Sequence, residues 1–594
     1  MTYCVSPALV LLISDWVLPV STLGRGTTSS GSASSGSVSG VATISIVGTT
    51  DLHGRVFADA GRGGLALLGG YLANLRAARQ ADGGAVLLLD AGDAFQGGME
   101  SDLSEGAIVV DAYNALGYTA AAIGNHEFEY GAVDVWESEH TQPGDPRGAL
   151  KARAAQARFP MLAANLLDAS TGRRVEWPNV GASTLVEAAG VKVGIVGAMT
   201  FDALTKTLGA NVGGLSVAPL TDAIRTEASA LRSAGAQLVV VVAHAGGDCA
   251  GLDDPNDLSS CDAEAEIFDV VRRLPPGLVD VVVAGHTHAA VAHHVAGVAI
   301  VQAFSWGRAF SRVDVTVDRA TGRVGPVRMF EPRQVCAQAD ASGHCDAQSS
   351  GTPLGPARYE GRPVEPDRAV TAAMAPALQR VRTLRATLVG PLLDSPIPRV
   401  AGDESAIGNL FADALLGMTP GTDAAISYST GPGGLRADLP AGPLRMGPLY
   451  DVFPFDNRVV GLHVTGAQLR QVIAAQLRRP RGRASALGVA GIRVQVACAG
   501  GGFRVHVSRA SGHPIADDER LAITTTDFLA ARAASISPTD VATTGAAHLP
   551  LLRDVVARWL QRRGGRLRQE HFADPARPRW QYVGTGTDER CPQA

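Results

Sequence analysis

Lysine is nearly absent from this chain: Lys151, Lys192 and Lys206 stand against abundant arginine. That bias reads as the mark of a high-GC genome and carries no functional meaning. A basic surplus is missing as well, since the net charge is −5 over 594 residues. A dedicated nucleic-acid binder usually carries a strong positive excess, so that class is set aside. Long apolar runs are lacking. Residues 8–20 are largely apolar but too short for a stable membrane span. No internal repeat is visible, and no CxxC or Cys/His spacing suggests a thiolate metal cluster.

What is present suits a soluble globular protein. The chain is 46% hydrophobic and 18% charged, and its length predicts two to four domains. Residues 8–20 have the length of a signal h-region, although the n-region holds no Lys or Arg and Asp15 interrupts the run. A Ser/Gly/Thr-rich stretch from Thr27 to Gly40 reads as a tether. Cys249 and Cys261 flank one polar loop, and Cys336 and Cys345 flank another; Cys498 and Cys591 remain. Such pairs read as disulfides of an oxidising compartment, with free buried thiols as the rival reading. The expected location is periplasmic or secreted.

Apolar β-branched runs recur between Val41 and Val317: "VATISIVG", "AVLLLDAG", "VKVGIVGA", "AQLVVVVA" and "VDVVVAG". Runs of this kind predict strands buried on both faces. Helical stretches such as "LALLGGYLANLRAARQA" and "TDAIRTEASALRSAG" lie between them. The prediction is a layered α/β domain over residues 41–335, after a signal-like and tether segment at 1–40. Residues 336–390 read as a linker ending in a helix, and 391–594 as a second α/β domain. Basic runs such as "RRPRGR" and "QRRGGRLR" read as solvated faces.

Five predicted strand ends carry metal-ligating side chains. They supply Asp51 and His53 ("DLHG"), Asp93 ("DAGD"), Asn125 and His126 ("GNHE"), His244, and His286 with His288 ("GHTH"). Loops at one edge of a layered sheet converge in space. The Asp-x-His and His-x-His spacings put alternate groups on one side of an extended segment. Imidazole, carboxylate and amide oxygen together suit borderline divalent metals such as Zn, Mn or Fe(II). The number of ligands exceeds one tetrahedral site and suits two metals sharing a carboxylate, an arrangement used against phosphate esters.

The motif series "DLHG…GDAFQGG…GNHEFEYG…AHAGGD…GHTH" resembles the calcineurin-like metallophosphoesterases, and more narrowly the 5′-nucleotidase/UDP-sugar hydrolase family. "ESAIGNLFADAL", "GGLR", "VFPFDNRVVGLHVTG" and "TTTDFLA" are similar to that family's C-terminal domain. The resemblance implies a metallophosphoesterase β-sandwich flanked by helices, joined by a linking helix to an α/β substrate-binding domain. It implies two divalent ions, one held by Asp51, His53, Asp93 and His288, the other by Asp93, Asn125, His244 and His286. Asp93 would bridge them, and a bridging hydroxide would attack phosphorus. His126 would stabilise the phosphoryl oxygen, oriented by Glu129 where the family usually has aspartate. Phe455 and Phe528 would sandwich a nucleobase, and Arg436 would engage phosphate or carboxylate-like groups.

Three departures touch the substrate pocket. Ala406 stands where the family often has arginine, "STGPGGLR" lacks the usual asparagine, and "LAARAASISPTD" replaces a "GGDG" loop. The expected activity is a 5′-nucleotidase-type phosphohydrolase acting on nucleotides. A cyclic-nucleotide phosphodiesterase or nucleotide-sugar pyrophosphatase is the alternative within the family. A surface binding protein on an inactive fold is the alternative outside it.

Overall fold

The computed structural model describes residues 40–132, 144–346, 353–399, 404–430, 434–455, 457–477, 486–499, 502–537 and 550–584. The signal-like segment, nearly all of the tether, the "RRPRGR" run and Cys591 lie outside the described residues.

The β-branched runs form the strands that their apolar continuity predicts. Val41–Thr49 is buried along almost its whole length. It pairs in parallel with Ala85–Asp90 and antiparallel with Ala309–Asp318. These strands lie inside a seven-stranded sheet. Val191–Met199, Leu238–His244, Val281–Ala284 and Val298–Ala303 run parallel to one another in a second sheet, of six strands.

The two sheets pack face to face. Ile44, Ile46, Leu87 and Leu89 of the first share one buried cluster with Val193, Val240, Val242 and Val283 of the second. They approach tightly at Gly48, where a Cβ would lie 2.4 Å from Val283 Cγ1 and 2.6 Å from Ser311 Oγ, so glycine suits the position. The outer faces are covered by helices. Leu65–Asp82 and Ala107–Leu116 pack on the first sheet, and Leu220–Ser233 with Glu266–Arg272 on the second. This is the predicted sandwich flanked by helices.

The expected linking helix is Arg368–Ala386. Asp367 caps it by accepting from the N–H groups of Ala369 and Val370. The helix stops before the predicted "LVG": Leu388–Leu393 is a strand, pairing in parallel with Arg566–Leu567. Beyond it, Ala406–Met418 and Leu552–Arg563 share an apolar core. Val459–Thr465, Arg520–Thr526, Ala424–Ile426 and Val489–Ala490 form a four-stranded sheet backed by Gly466–Leu477 and Asp527–Ile536. In the "QRRGGRLR" run the arginines are exposed, as expected.

Contacts across the linking helix bring the second half of the chain against the first. Met99, Val381 and Tyr450 form a small buried cluster. Arg385 pairs with Asp451 at 2.7 Å, Tyr450 donates to the buried Asp102, and Gln96 donates to the Pro454 carbonyl. Residues 450–455 are thereby held against the loop that follows Asp93.

Disulfides link Cys249 to Cys261 and Cys336 to Cys345, as the polar loops between them suggest. Cys498 is also disulfide-bonded. Among the described residues no helix is long and apolar enough to cross a membrane.

Candidate metal centre

Every expected ligand stands at or just beyond the carboxyl end of a strand. Asp51 and His53 follow Val41–Thr49, Asp93 follows Ala85–Asp90, and Asn125 follows Ala120–Ala122. His244 ends its strand, while His286 and His288 follow Val281–Ala284. The backbone there is unusual. Asp51, His53, Asp93, His286 and His288 have φ of 51°, 49°, 56°, 76° and 59°. Side-chain-bearing residues seldom adopt this left-handed region, and such strain gathers at functional sites.

The result is a set of interlocking groups. Asp51, His53 and His288 form one, His53, Asp93 and His126 a second, and Asp93, His244 and His286 a third; within each, the candidate ligand atoms lie within 4.8 Å of one another. His53 Nε2 is 2.9 Å from His288 Nε2, and His286 Nδ1 is 3.0 Å from His244 Nε2. His244 Nε2 also lies 3.1 Å from Asn125 Oδ1 and 3.1 Å from Asp93 Oδ2. The structure thus brings all seven expected ligands and His126 into one cluster.

The outer nitrogens of two ligands are anchored. His53 Nδ1 lies 2.9 Å from the Gln96 carbonyl and His244 Nδ1 lies 2.8 Å from the Ala91 carbonyl. A carbonyl fixes the proton on Nδ1 and leaves Nε2 free to bind. Asp51 Oδ1 is buried without a hydrogen-bond partner, 3.4 Å from His288 Nε2. Lone pairs aimed at one another and an orphaned carboxylate oxygen are what a site shaped for a cation leaves behind. The donor chemistry, imidazole with carboxylate and one amide oxygen, fits a divalent ion.

His126 opens a short 3₁₀ turn, His126–Phe128. Its backbone N–H donates to Asp93 Oδ1 at 2.8 Å. Nδ1 lies 3.4 Å from Glu129 Oε1, so the longer glutamate reaches the histidine. Burial opposes a charged imidazole, but the Asp93 and Glu129 carboxylates raise His126 to about 8. Burial would raise the Asp93 carboxyl, yet His244 and His126 hold it well below the usual range.

One residue of "GNHEFEYG" does work that the sequence reading missed. Glu127 is buried, and its carboxylate accepts N–H bonds from Asp93, Ala94, Phe95 and Gly124 at 2.9, 2.7, 3.3 and 2.7 Å. It fastens the Asp93 loop to the turn that carries Asn125 and His126. Gly124 must be glycine, because a Cβ there would lie 2.2 Å from Asp93 Oδ1. Tyr130 completes the brace by donating to Asp102 at 2.7 Å.

On the substrate side, Arg436 lies 4.3 Å over the Phe455 ring. Burial and the neighbouring Arg55 lower its pKa to about 10. Its charge reaches His53 and His126, which places it in the same electrostatic field as the cluster. Phe528 is exposed and stacks loosely on Tyr428, 6.4 Å away. Tyr428 continues through Phe453 to Phe455, at 4.7 and 5.2 Å. Phe455 and Phe528 are therefore ends of a four-ring chain. Where the family has a glycine loop, the helix Asp527–Ile536 continues through Ala530–Ile536.

Two family models match the chain: calcineurin-like phosphoesterase over residues 44–290, and 5′-nucleotidase, C-terminal domain, over residues 386–536. Endonuclease YhcR of Bacillus subtilis is 25% identical over 433 residues, 72% of this chain; the chain spans only 31% of that relative's length. A 5′-nucleotidase of Vibrio cholerae is 24% identical over 482 residues, 76% of this chain and 79% of the relative. The crystal structure of a 5′-nucleotidase precursor from Thermus thermophilus shares the fold, with a TM-score of 0.61 at 23% identity, covering 88% of this chain and 97% of that one. The fold implies divalent metal ions, and the clustered residues fit them. The chain belongs to the calcineurin-like metallophosphoesterases of the 5′-nucleotidase type, a family of metal-dependent phosphoester hydrolases.

Proposed function

We propose that this protein releases phosphate from nucleotides by hydrolysing the phosphoester next to the sugar. The observation that carries the reading is the set of interlocking ligand groups, two of which share His53 and two of which share Asp93. In this reading Asp51, His53, Asp93 and His288 hold one ion, Asp93, Asn125, His244 and His286 hold the other, and Asp93 is common to both. Zn, Mn or Fe suits the donors. When bound, such ions withdraw charge from phosphoryl oxygens and make a water nucleophilic at neutral pH.

The chain's own groups do the rest. His126 points into the cluster from a turn fixed by Glu127. The Asp93 and Glu129 carboxylates favour the doubly protonated imidazolium, whose Nδ1–H faces Glu129 and whose Nε2–H is then available to donate to the phosphoryl oxygen as negative charge grows there. Arg436, half-buried and lying over the Phe455 ring, would supply positive charge to the same oxygens. Phe455 and Phe528 offer ring faces to a base, which any base identity satisfies. The disulfides support a periplasmic or secreted location.

Initial rates over nucleoside monophosphates, nucleotide sugars, cyclic nucleotides and a polynucleotide test the reading, with metal content measured on the same sample. Phosphate release from monophosphates is expected to lead. Preference for the polynucleotide or cyclic nucleotides, or no hydrolysis by a metal-loaded sample, overturns it.

A further inference from the structure

Gln302 is the one polar side chain of the strand Val298–Ala303, and it is fully buried. This strand lies parallel to Val281–Ala284 and antiparallel to Ala290–Val295. The loop that carries His286 and His288 joins those two neighbours. An amide is costly to bury unless its hydrogen bonds are met, and here both of its ends are used. Nε2 donates to Thr287 Oγ1 at 2.7 Å and to the Ala289 carbonyl at 3.1 Å, while Oε1 accepts the Gly247 N–H at 3.2 Å.

Thr287 stands between the two histidines and closes a ring of hydrogen bonds. Its hydroxyl accepts from Gln302 and donates to the Gly247 carbonyl at 2.6 Å. Gly247 belongs to the segment "AHAGGD" that carries His244. One amide and one hydroxyl therefore tie the two histidine-bearing loops together. No slack is left between these loops. A Cβ on Gly246 would lie 2.1 Å from the Gly285 carbonyl oxygen, 2.6 Å from Thr287 Oγ1 and 2.7 Å from Gln302 Oε1.

The ring explains how the loop keeps its backbone. His286 and His288 have left-handed φ, which side-chain-bearing residues hold where their surroundings impose it. On one side His286 N–H donates to Asp51 Oδ2 at 2.9 Å. On the other, Gln302 grips the residue between the two histidines and the carbonyl of the residue after His288.

We infer that Gln302 is a positioning residue for the metal centre. Through Thr287 and Gly247 it holds His286 and His288 in ligand geometry beside His244, and it acts through them rather than as a ligand. In the ligand assignment proposed above, His286 and His288 serve different ions, so Gln302 acts on both. The inference rests on that assignment.

Thr287 is exposed, so Thr287→Val replaces its hydroxyl with a methyl group without opening the core. Competition with a chelator for the ions of the full chain, loaded with Zn or Mn, measures the affinity for each ion apart from turnover. Thr287→Val and Gln302→Met are each expected to weaken both ions about ten- to a hundred-fold. Thr287→Ser keeps the hydroxyl and should retain near-wild-type affinity. The double variant of Gln302→Met with Thr287→Val should lose little more than either single variant, because both break the same ring. Melting curves of the metal-free proteins show whether Gln302→Met folds, and Thr287→Val carries the test where it does not. Wild-type affinity for either ion in Thr287→Val, or an equal loss in Thr287→Ser, overturns the inference alone. A wild-type protein that binds fewer than two ions overturns the ligand assignment, and the inference with it.

Discussion

Asp93 is held in place by Glu127, whose Oε2 accepts the Asp93 backbone N–H at 2.9 Å while also accepting that of Gly124 at 2.7 Å. Its other oxygen serves Ala94 and Phe95. In Glu127→Gln one acceptor becomes an NH₂ group facing N–H donors, which leaves buried donors unsatisfied. Metal affinity is expected to fall about ten- to a hundred-fold, the scale for losing a group that orients ligands. Titration of the apo-protein with Zn or Mn measures it. Affinity equal to wild type would show that the clamp is dispensable.

The convergence of the candidate ligands was legible in the sequence and the clamp was not, for a physical reason. Asp51, His53, Asp93, His244, His286 and His288 each end an apolar run, so strand convergence alone brings them together. Glu127 acts on backbone N–H groups more than thirty residues away, and backbone groups leave no trace in residue types. The pocket was less legible still. Phe455 and Phe528 look like a pair in sequence, yet Arg436 lies over one ring and Tyr428 stacks on the other.

That arrangement sets an expectation for Phe455→Ala, which removes a ring face and frees Arg436. The Michaelis constant for nucleotides should rise on the order of ten-fold relative to that for a small phenyl phosphate ester. Equal changes for both substrates would reduce Phe455 to a packing role.

Asp90 gives a dependence of stability on pH. It is buried between Thr49 and Tyr113, which donate to Oδ2 at 2.6 and 2.9 Å. Burial raises its pKa from 3.8 to about 7 against those hydrogen bonds, with the Glu127 charge adding to the rise. The folded chain therefore binds this proton more tightly than the unfolded chain. Its stabilising contribution is complete below about pH 4 and is lost as the pH rises toward about 7. Denaturant midpoints at pH 4, 5.5, 7 and 8 should show a shallower fall in Asp90→Asn than in wild type. Identical pH slopes would mean that Asp90 is ionised throughout.

The cysteines give a chemical test of the compartment. Non-reducing peptide mapping should recover Cys249 joined to Cys261 and Cys336 joined to Cys345, with Cys498 also oxidised. Cross-links closing loops of this size contribute about 3 kcal/mol each in the chain-entropy account, so reduction should lower the melting temperature by several degrees. Free thiols at all of these positions would remove the support for export.

The most direct measurement pairs metal content with phosphate release in Asp93→Ala and His126→Ala. Asp93 belongs to two of the ligand groups, so its loss should empty both ion sites and abolish turnover. His126→Ala should keep near-normal metal content while turnover falls by roughly 10²–10³, the scale for one transition-state donor. An Asp93→Ala protein with wild-type metal content and turnover would contradict the account.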